Sequence, residues 1–163
     1  MNQISAATAA ELNGMELLLF YLGDKRFAID ILKVKEVIPC PSLTQVPHSH
    51  PAVSGVFQLR GAPLTVLDLQ LAITQSLSAP QEGGGTVIVT EFFGDRQGFL
   101  VSRVDRIIHC RQEDFQESPP GTGDENFIEK VGRDGEELIQ VLDFHQLLSS
   151  VLPASTRIEA VAC

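Results

Sequence analysis

Clustered basic residues are missing from this chain. It carries 21 acidic and 12 basic residues, a formal charge of −9, and its lysines and arginines come singly or in pairs such as Lys33 and Lys35. Binding a phosphate backbone needs grouped cations, so nucleic acid and an anionic membrane are both disfavoured as partners. Cysteine is scarce as well. Cys40, Cys110 and Cys163 are odd in number and widely spaced, which argues against a disulfide framework or a zinc knuckle and fits reduced, cytosolic thiols. No apolar run approaches the ~18 residues that a membrane span needs, so no membrane insertion is expected. The polar, Ala/Thr-rich start lacks the charged head and apolar stretch of a secretion signal.

Catalytic signatures are absent too. There is no Gly-x-Ser-x-Gly elbow, no phosphate-binding loop and no paired-cysteine spacing. Gly83-Gly84-Gly85 has no Lys-Ser/Thr after it and reads as a spacer. His48 and His50 could share one face of an extended segment, but a metal would need about two further ligands and none is close in sequence. Neither a cofactor nor a metal is expected. Asp68 and Asp143 stand in identical Val-Leu-Asp contexts, which favours a shared capping task over a catalytic carboxylate pair.

What the chain does have is strand patterning. At 163 residues it suits one domain or two small ones sharing a core, and it can bury about 70% of its unfolded surface. Residues 1–14 read as a tail. Leu17 to Leu22 is an apolar run that stops at Gly23-Asp24, and Phe27, Ile29 and Ile31 then alternate with polar or small residues. This predicts a hairpin whose second strand is half-buried. A Pro- and His-rich loop covers 39–51. Val53 to Leu59 and Ala62 to Leu67 predict strands joined at Arg60-Gly61, with Asp68 capping a short helix over Leu69 to Ile73. Ser76 to Gly85 reads as a linker and Thr86 to Phe93 as a strand. Gln112 to Glu129 reads as an exposed loop, with Gly132 to Gly135 as a charged turn. After the strand Leu138 to Leu142, the positions Phe144, Leu147, Leu148, Val151 and Leu152 form the apolar stripe of a helix that Asp143 caps and Pro153 closes.

The two halves echo each other. Gly23-Asp24-Lys25, Ile29, Val34, Val37-Ile38 and Cys40 are matched by Gly94-Asp95-Arg96, Phe99, Val104, Ile107-Ile108 and Cys110, and Val66-Leu67-Asp68-Leu69 by Val141-Leu142-Asp143-Phe144. From Ile29 to Cys40 the offset is constant. Two similar β units, each too small for a strong core, are expected to pack together.

Read in order, these residues resemble the CheW-like family of chemosensory coupling proteins. The series is Phe27-Ala28-Ile29-Asp30-Ile31, Val34-x-Glu36-Val37, Gly55-Val56-Phe57-Gln58-Leu59-Arg60-Gly61, Pro63, Val66-Leu67-Asp68-Leu69, Val104-Asp105-Arg106-Ile107 and Val141-Leu142-Asp143. Gln58 stands where the family has Asn before Leu-Arg-Gly, and the second half diverges more. The resemblance implies a mainly β domain over 15–152, made of two packed SH3-like five-stranded barrels with a short C-terminal helix. The two units would cover about 15–78 and 86–152, with an exchange of strands left open, and 153–163 would be a tail.

It also implies a non-catalytic adaptor that links the cytoplasmic tips of chemoreceptors to the regulatory domain of a histidine autokinase, in the cytoplasm beside membrane-bound receptor arrays. A variant within the family would serve a pilus, biofilm or developmental pathway. The rival of a different class is a small thiol-dependent enzyme using Cys110 with a histidine. The partner-binding candidates are Ile31, Val34, Glu36, Gly55 and Arg60. Contacts are expected to use apolar strand ends around Ile31, Val34 and Phe57. Val34 and Val37 are expected to anchor the strand inward, and alternation is expected to turn Glu36 away from Val37, toward solvent or a partner, where it would pair with Arg60, whose tight turn Gly61 permits.

Overall fold

The computed structural model describes residues 14–74, 84–92, 94–117 and 127–151. The expected tails, most of the Ser/Pro/Gly linker, Phe93, the Ser118 to Gly121 stretch, and Leu152, Pro153 and Cys163 lie outside the described residues.

The first hairpin joins β1 (Gly14–Leu22) to β2 (Lys25–Asp30). The chain then makes a 3-10 turn at Ile31–Lys33 and enters β3 (Val34–Pro39). A second hairpin pairs β4 (Val53–Leu59) with β5 (Ala62–Asp68) and leads into α1 (Leu69–Thr74). The other half repeats the order: β6 (Thr86–Phe92), β7 (Asp95–Val101), β8 (Arg103–Arg111), a short β9 (Gln116–Glu117), β10 (Ile128–Asp134), β11 (Glu137–Leu142) and α2 (Phe144–Val151).

Six strands form one sheet in the order β8-β1-β2-β11-β10-β9, and five form the other in the order β3-β6-β7-β5-β4. Each curls back on itself. Thr44, beyond the end of β3, exchanges both backbone hydrogen bonds with Val56 of β4, at 2.9 and 2.8 Å. β9, beyond the end of β8, pairs likewise with β10. Neither barrel is built from one half of the chain. The hairpin β1–β2 sits among second-half strands, and β6–β7 sits among first-half strands.

The internal echo is present in the register. Val34, Val37 and Ile38 of β3 face Thr90, Ile88 and Val87, with a bulge after Val34. Val104, Ile107 and Ile108 of β8 face Phe20, Leu18 and Leu17, with a bulge in the same place. The caps match as well. Asp68 Oδ1 accepts from the Leu71 N–H at 3.1 Å, and Asp143 Oδ1 from the Gln146 N–H at 3.0 Å. The backbone N–H groups of these two aspartates donate to Ala52 and Phe127 carbonyls, each at 2.7 Å. The identical Val-Leu-Asp contexts are therefore identical joints.

Three apolar clusters account for the strand patterns. The largest lies between the barrels and takes Leu18, Phe20, Leu22, Phe27 and Ile29 with Ile88, Phe99, Phe144 and Leu147. Leu17, Leu19, Ala28, Phe115, Ile139 and Val141 fill the six-stranded barrel. Leu64, Val66, Val87 and Val89 fill the five-stranded one. β1 and β2 thus separate two cores, which is why Leu17 to Leu22 is apolar without alternation. It also corrects the half-buried reading of β2, because Phe27, Ala28 and Ile29 are all buried. The stretch expected as an exposed loop after Gln112 is corrected too. It contains β9 and the buried Phe115, whose neighbours are so polar that no period marks it. The charged turn sits at Gly135-Glu136, with Gly132 to Asp134 in the strand.

Candidate partner-binding site

β4 and β5 are joined by two residues, Arg60 and Gly61, at φ 52° and 84°. Positive φ at both positions is the turn that matches the twist of a tight hairpin, and it favours Asn-Gly or Gly-Gly. Gly61 meets that need freely. Arg60 takes a left-handed conformation that a long side chain adopts at a cost, a departure of the kind found where a residue is needed for contact rather than stability.

The Arg60 guanidinium reaches across the mouth of the five-stranded barrel to β3. Its Nη1 lies 2.6 Å from Glu36 Oε2. The Glu36 side chain is 21% exposed and the Arg60 side chain 68%, so the carboxylate is recessed and the cation lies over it. One nitrogen of the planar fork is used, which leaves further N–H donors for another chain. The neighbouring Lys35 Nζ sits 2.8 Å from Glu91 Oε2, and that hydrogen bond holds the Glu91 carboxyl below its ordinary pKa.

Glu36 and Val37 do lie on opposite sides of β3, but with the faces exchanged from those expected. The bulge after Val34 resets the strand. Glu36 then falls on the side of Ile38, which packs on the five-stranded barrel's core, while Val37 is exposed at the rim. Ile31 and Val34 are half-buried against the core between the barrels, and Phe57 packs on the five-stranded barrel's core. These three are therefore poor candidates for free apolar contact surface. An exposed aliphatic side chain that the sequence did not single out is Leu32, 88% exposed on the 3-10 turn whose N-terminus Asp30 caps at 3.0 Å. Gly55 is buried, and a side chain there would meet the Thr44 carbonyl at 2.7 Å. It can shape the surface only through the Thr44 segment.

The mouth of the six-stranded barrel is also polar. Arg26 is largely buried and donates to the Tyr21 hydroxyl at 2.6 and 3.1 Å, with Glu137 at 2.5 Å, Asp105 at 3.4 Å and Asp134 at 3.5 Å. The Tyr21 hydrogen bond, then Glu137 and Asp105, hold the guanidinium above its ordinary pKa against the burial that lowers it. Arg103 stacks on the Tyr21 ring, and Arg106 reaches Asp134 at 2.5 Å.

Among the described residues nothing in the geometry activates a thiol. Burial pushes the Cys40 thiol up. Burial, then Asp114, Asp134 and Asp30, push the Cys110 thiol up, whereas a nucleophilic cysteine needs the opposite shift. His109 is turned to solvent beside Glu16 at 3.6 Å. His50 Nδ1 accepts from the Ala52 N–H at 3.0 Å. Among the described residues no group of His, Cys, Asp and Glu could hold a metal, and no helix is long and apolar enough to cross a membrane.

A family model for the CheW-like domain matches residues 16–152. The chain belongs to this family. It is 32% identical over 142 residues to the chemotaxis protein CheW of Treponema pallidum, covering 83% of this chain and 82% of that protein. It is 30% identical over 145 residues to the chemotaxis protein CheW of Klebsiella aerogenes, covering 87% and 86%. The fold matches the crystal structure of the scaffolding protein TtCheW from Thermoanaerobacter tengcongensis with a TM-score of 0.76 at 24% identity, covering 82% of this chain and 92% of that one. The CheW-like reading of the sequence and the mainly β fold with a short C-terminal helix are thus correct, and of the two barrels expected to be five-stranded one has six strands. The chain is a chemotaxis protein of the non-catalytic CheW type.

Proposed function

We propose that this CheW-like chain couples the cytoplasmic tips of chemoreceptors to the regulatory domain of a histidine autokinase, in the cytoplasm beside membrane-bound receptor arrays. Glu36 and Arg60 form the contact centre. Ile31 and Val34 support it from the core side, and Gly55 supports it through Thr44. The observation that carries this reading is Arg60 itself. It is held in a left-handed turn at a cost, it is well exposed, and it is steadied by Glu36 from beneath. Such an arrangement presents a pre-organised fork to a carboxylate of another protein. Co-sedimentation with receptor-tip fragments and kinase tests the coupling. Arg60→Ala should weaken binding of receptor or kinase at least about tenfold, ~1.4 kcal/mol, with thermal stability nearly unchanged. Both affinities within about twofold of the unaltered chain would remove Arg60 from the contact.

A further inference from the structure

The two barrels carry the same ion pair with its charges exchanged. The register makes Glu36 of β3 and Arg106 of β8 equivalent, since each follows the bulge and precedes an exposed aliphatic residue, Val37 or Ile107. Their partners both come from the hairpin that follows. Arg60 lies in the β4–β5 turn, and Asp134 lies beside the β10–β11 turn. Glu36 binds Arg60 at 2.6 Å, and Arg106 binds Asp134 at 2.5 Å. In the first barrel the strand is negative and the turn positive. In the second the order is reversed.

Each pair ties a strand, β3 or β8, to the following hairpin, where β3 and β4, like β8 and β10, share no ladder. That tie needs opposite charges but not a particular order, because Coulomb attraction is symmetric in its two partners. The molecule uses both orders for one structural task. Order is therefore left to serve recognition, where like charges brought face to face penalise a wrong partner. The two mouths also differ in freedom. The second pair is bound into the Arg26, Asp105 and Glu137 network, whereas Glu36 and Arg60 meet at a strained turn.

Resting on the coupling function proposed above, we infer that the order of charges, rather than the presence of an ion pair, tells a protein partner which barrel it has met. The first barrel accepts a protein face that brings a carboxylate to the turn and a cation or N–H donor to the strand. The opposite arrangement is repelled there.

The test uses the full chain in two paired variants. Glu36→Arg with Arg60→Glu keeps an ion pair and inverts it, and Glu36→Gln with Arg60→Gln removes the charge. Affinities for the kinase regulatory domain and for a receptor-tip fragment are measured by calorimetry, alongside thermal melts. The inverted variant should melt within a few degrees of the unaltered chain and bind one partner at least about tenfold more weakly than the neutral variant does. Equal affinities for the inverted and neutral variants would overturn the inference, as would loss of fold in the inverted variant alone, which would make the order structural. If the unaltered chain binds neither partner, the coupling reading falls and this inference with it. If the unaltered chain binds and inversion has no effect, only this inference falls.

Discussion

The carbonyl oxygen of Thr44 lies 2.7 Å from where a side chain on Gly55 would begin, and the Leu43 Cβ lies at 2.8 Å. Thr44 is held there by two hydrogen bonds to Val56, which close the five-stranded barrel. The six-stranded barrel uses the same device, because a side chain on Gly132 would overlap the Phe115 ring. In both barrels a glycine, Gly55 of β4 or Gly132 of β10, makes room for the segment that completes the ring.

Gly55→Ala should therefore destabilise the chain by at least about 1–3 kcal/mol, the usual range for forcing extra atoms into a packed site. The φ of 153° adds strain for any side chain. Urea unfolding monitored by circular dichroism measures it. A midpoint unchanged from the unaltered chain would show that Thr44 moves aside at no cost.

Asp68→Ala and Asp143→Ala should each cost about 1 kcal/mol, the typical loss when a helix N-cap is removed. Because the two caps are equivalent in context and geometry, similar losses are expected, and the double variant should show roughly their sum. Denaturant midpoints of the three variants decide this.

Leu32 and Val34 should separate contact from core. Leu32→Ser changes an exposed side chain and should alter stability by less than about 0.5 kcal/mol while weakening partner binding. Val34→Asp places a charge against the core between the barrels and should cost about 2 kcal/mol or more. Parallel melts and co-sedimentation assays test both, and a Val34→Asp variant as stable as the unaltered chain would contradict the packing.

The thiols should be sluggish. Burial raises the pKa of Cys40 and Cys110, so the thiolate fraction near neutral pH is smaller than for a free cysteine. In a Cys163→Ser background, alkylation by iodoacetamide at pH 8 should be slower than for a small thiol. The stability linked to these two groups is fully present below the unfolded-state pKa, and it should be lost as pH rises through the higher folded-state value. Fast labelling of Cys110 at pH 7 would revive thiol chemistry.

The hairpins, both helix caps and the internal repeat were legible because each is a local pattern: alternation, Gly-Asp turns, and Asp before an apolar stripe. The pairing of Glu36 with Arg60 was also within reach, although the orientation of Glu36 was not. A bulge adds one residue to the register and leaves no mark in composition, so Val37 was expected inward and is exposed. Phe115 was hidden for a different reason. It is one ring among polar neighbours, and only the far strand bearing Gly132 explains its burial. Leu32 carries no such local mark, because its exposure comes from the 3-10 turn that follows β2. The charge exchange between the mouths needed the three-dimensional register, since Arg60 and Asp134 fall on slightly different steps of their turns.

The exchanged hairpins bear on how the molecule is made. Among the described residues β1 and β2 precede every other strand, yet β8 and β11, the strands that flank them, come from the second half. During synthesis from the N-terminus the earliest hairpin must wait, with apolar residues on both faces, until the last strand has left the ribosome. Such distant pairings are slow to form and leave sticky edges open in the interval. Neither half can be released as a finished barrel, and force applied by a partner to one barrel is transmitted to the other through covalent chain.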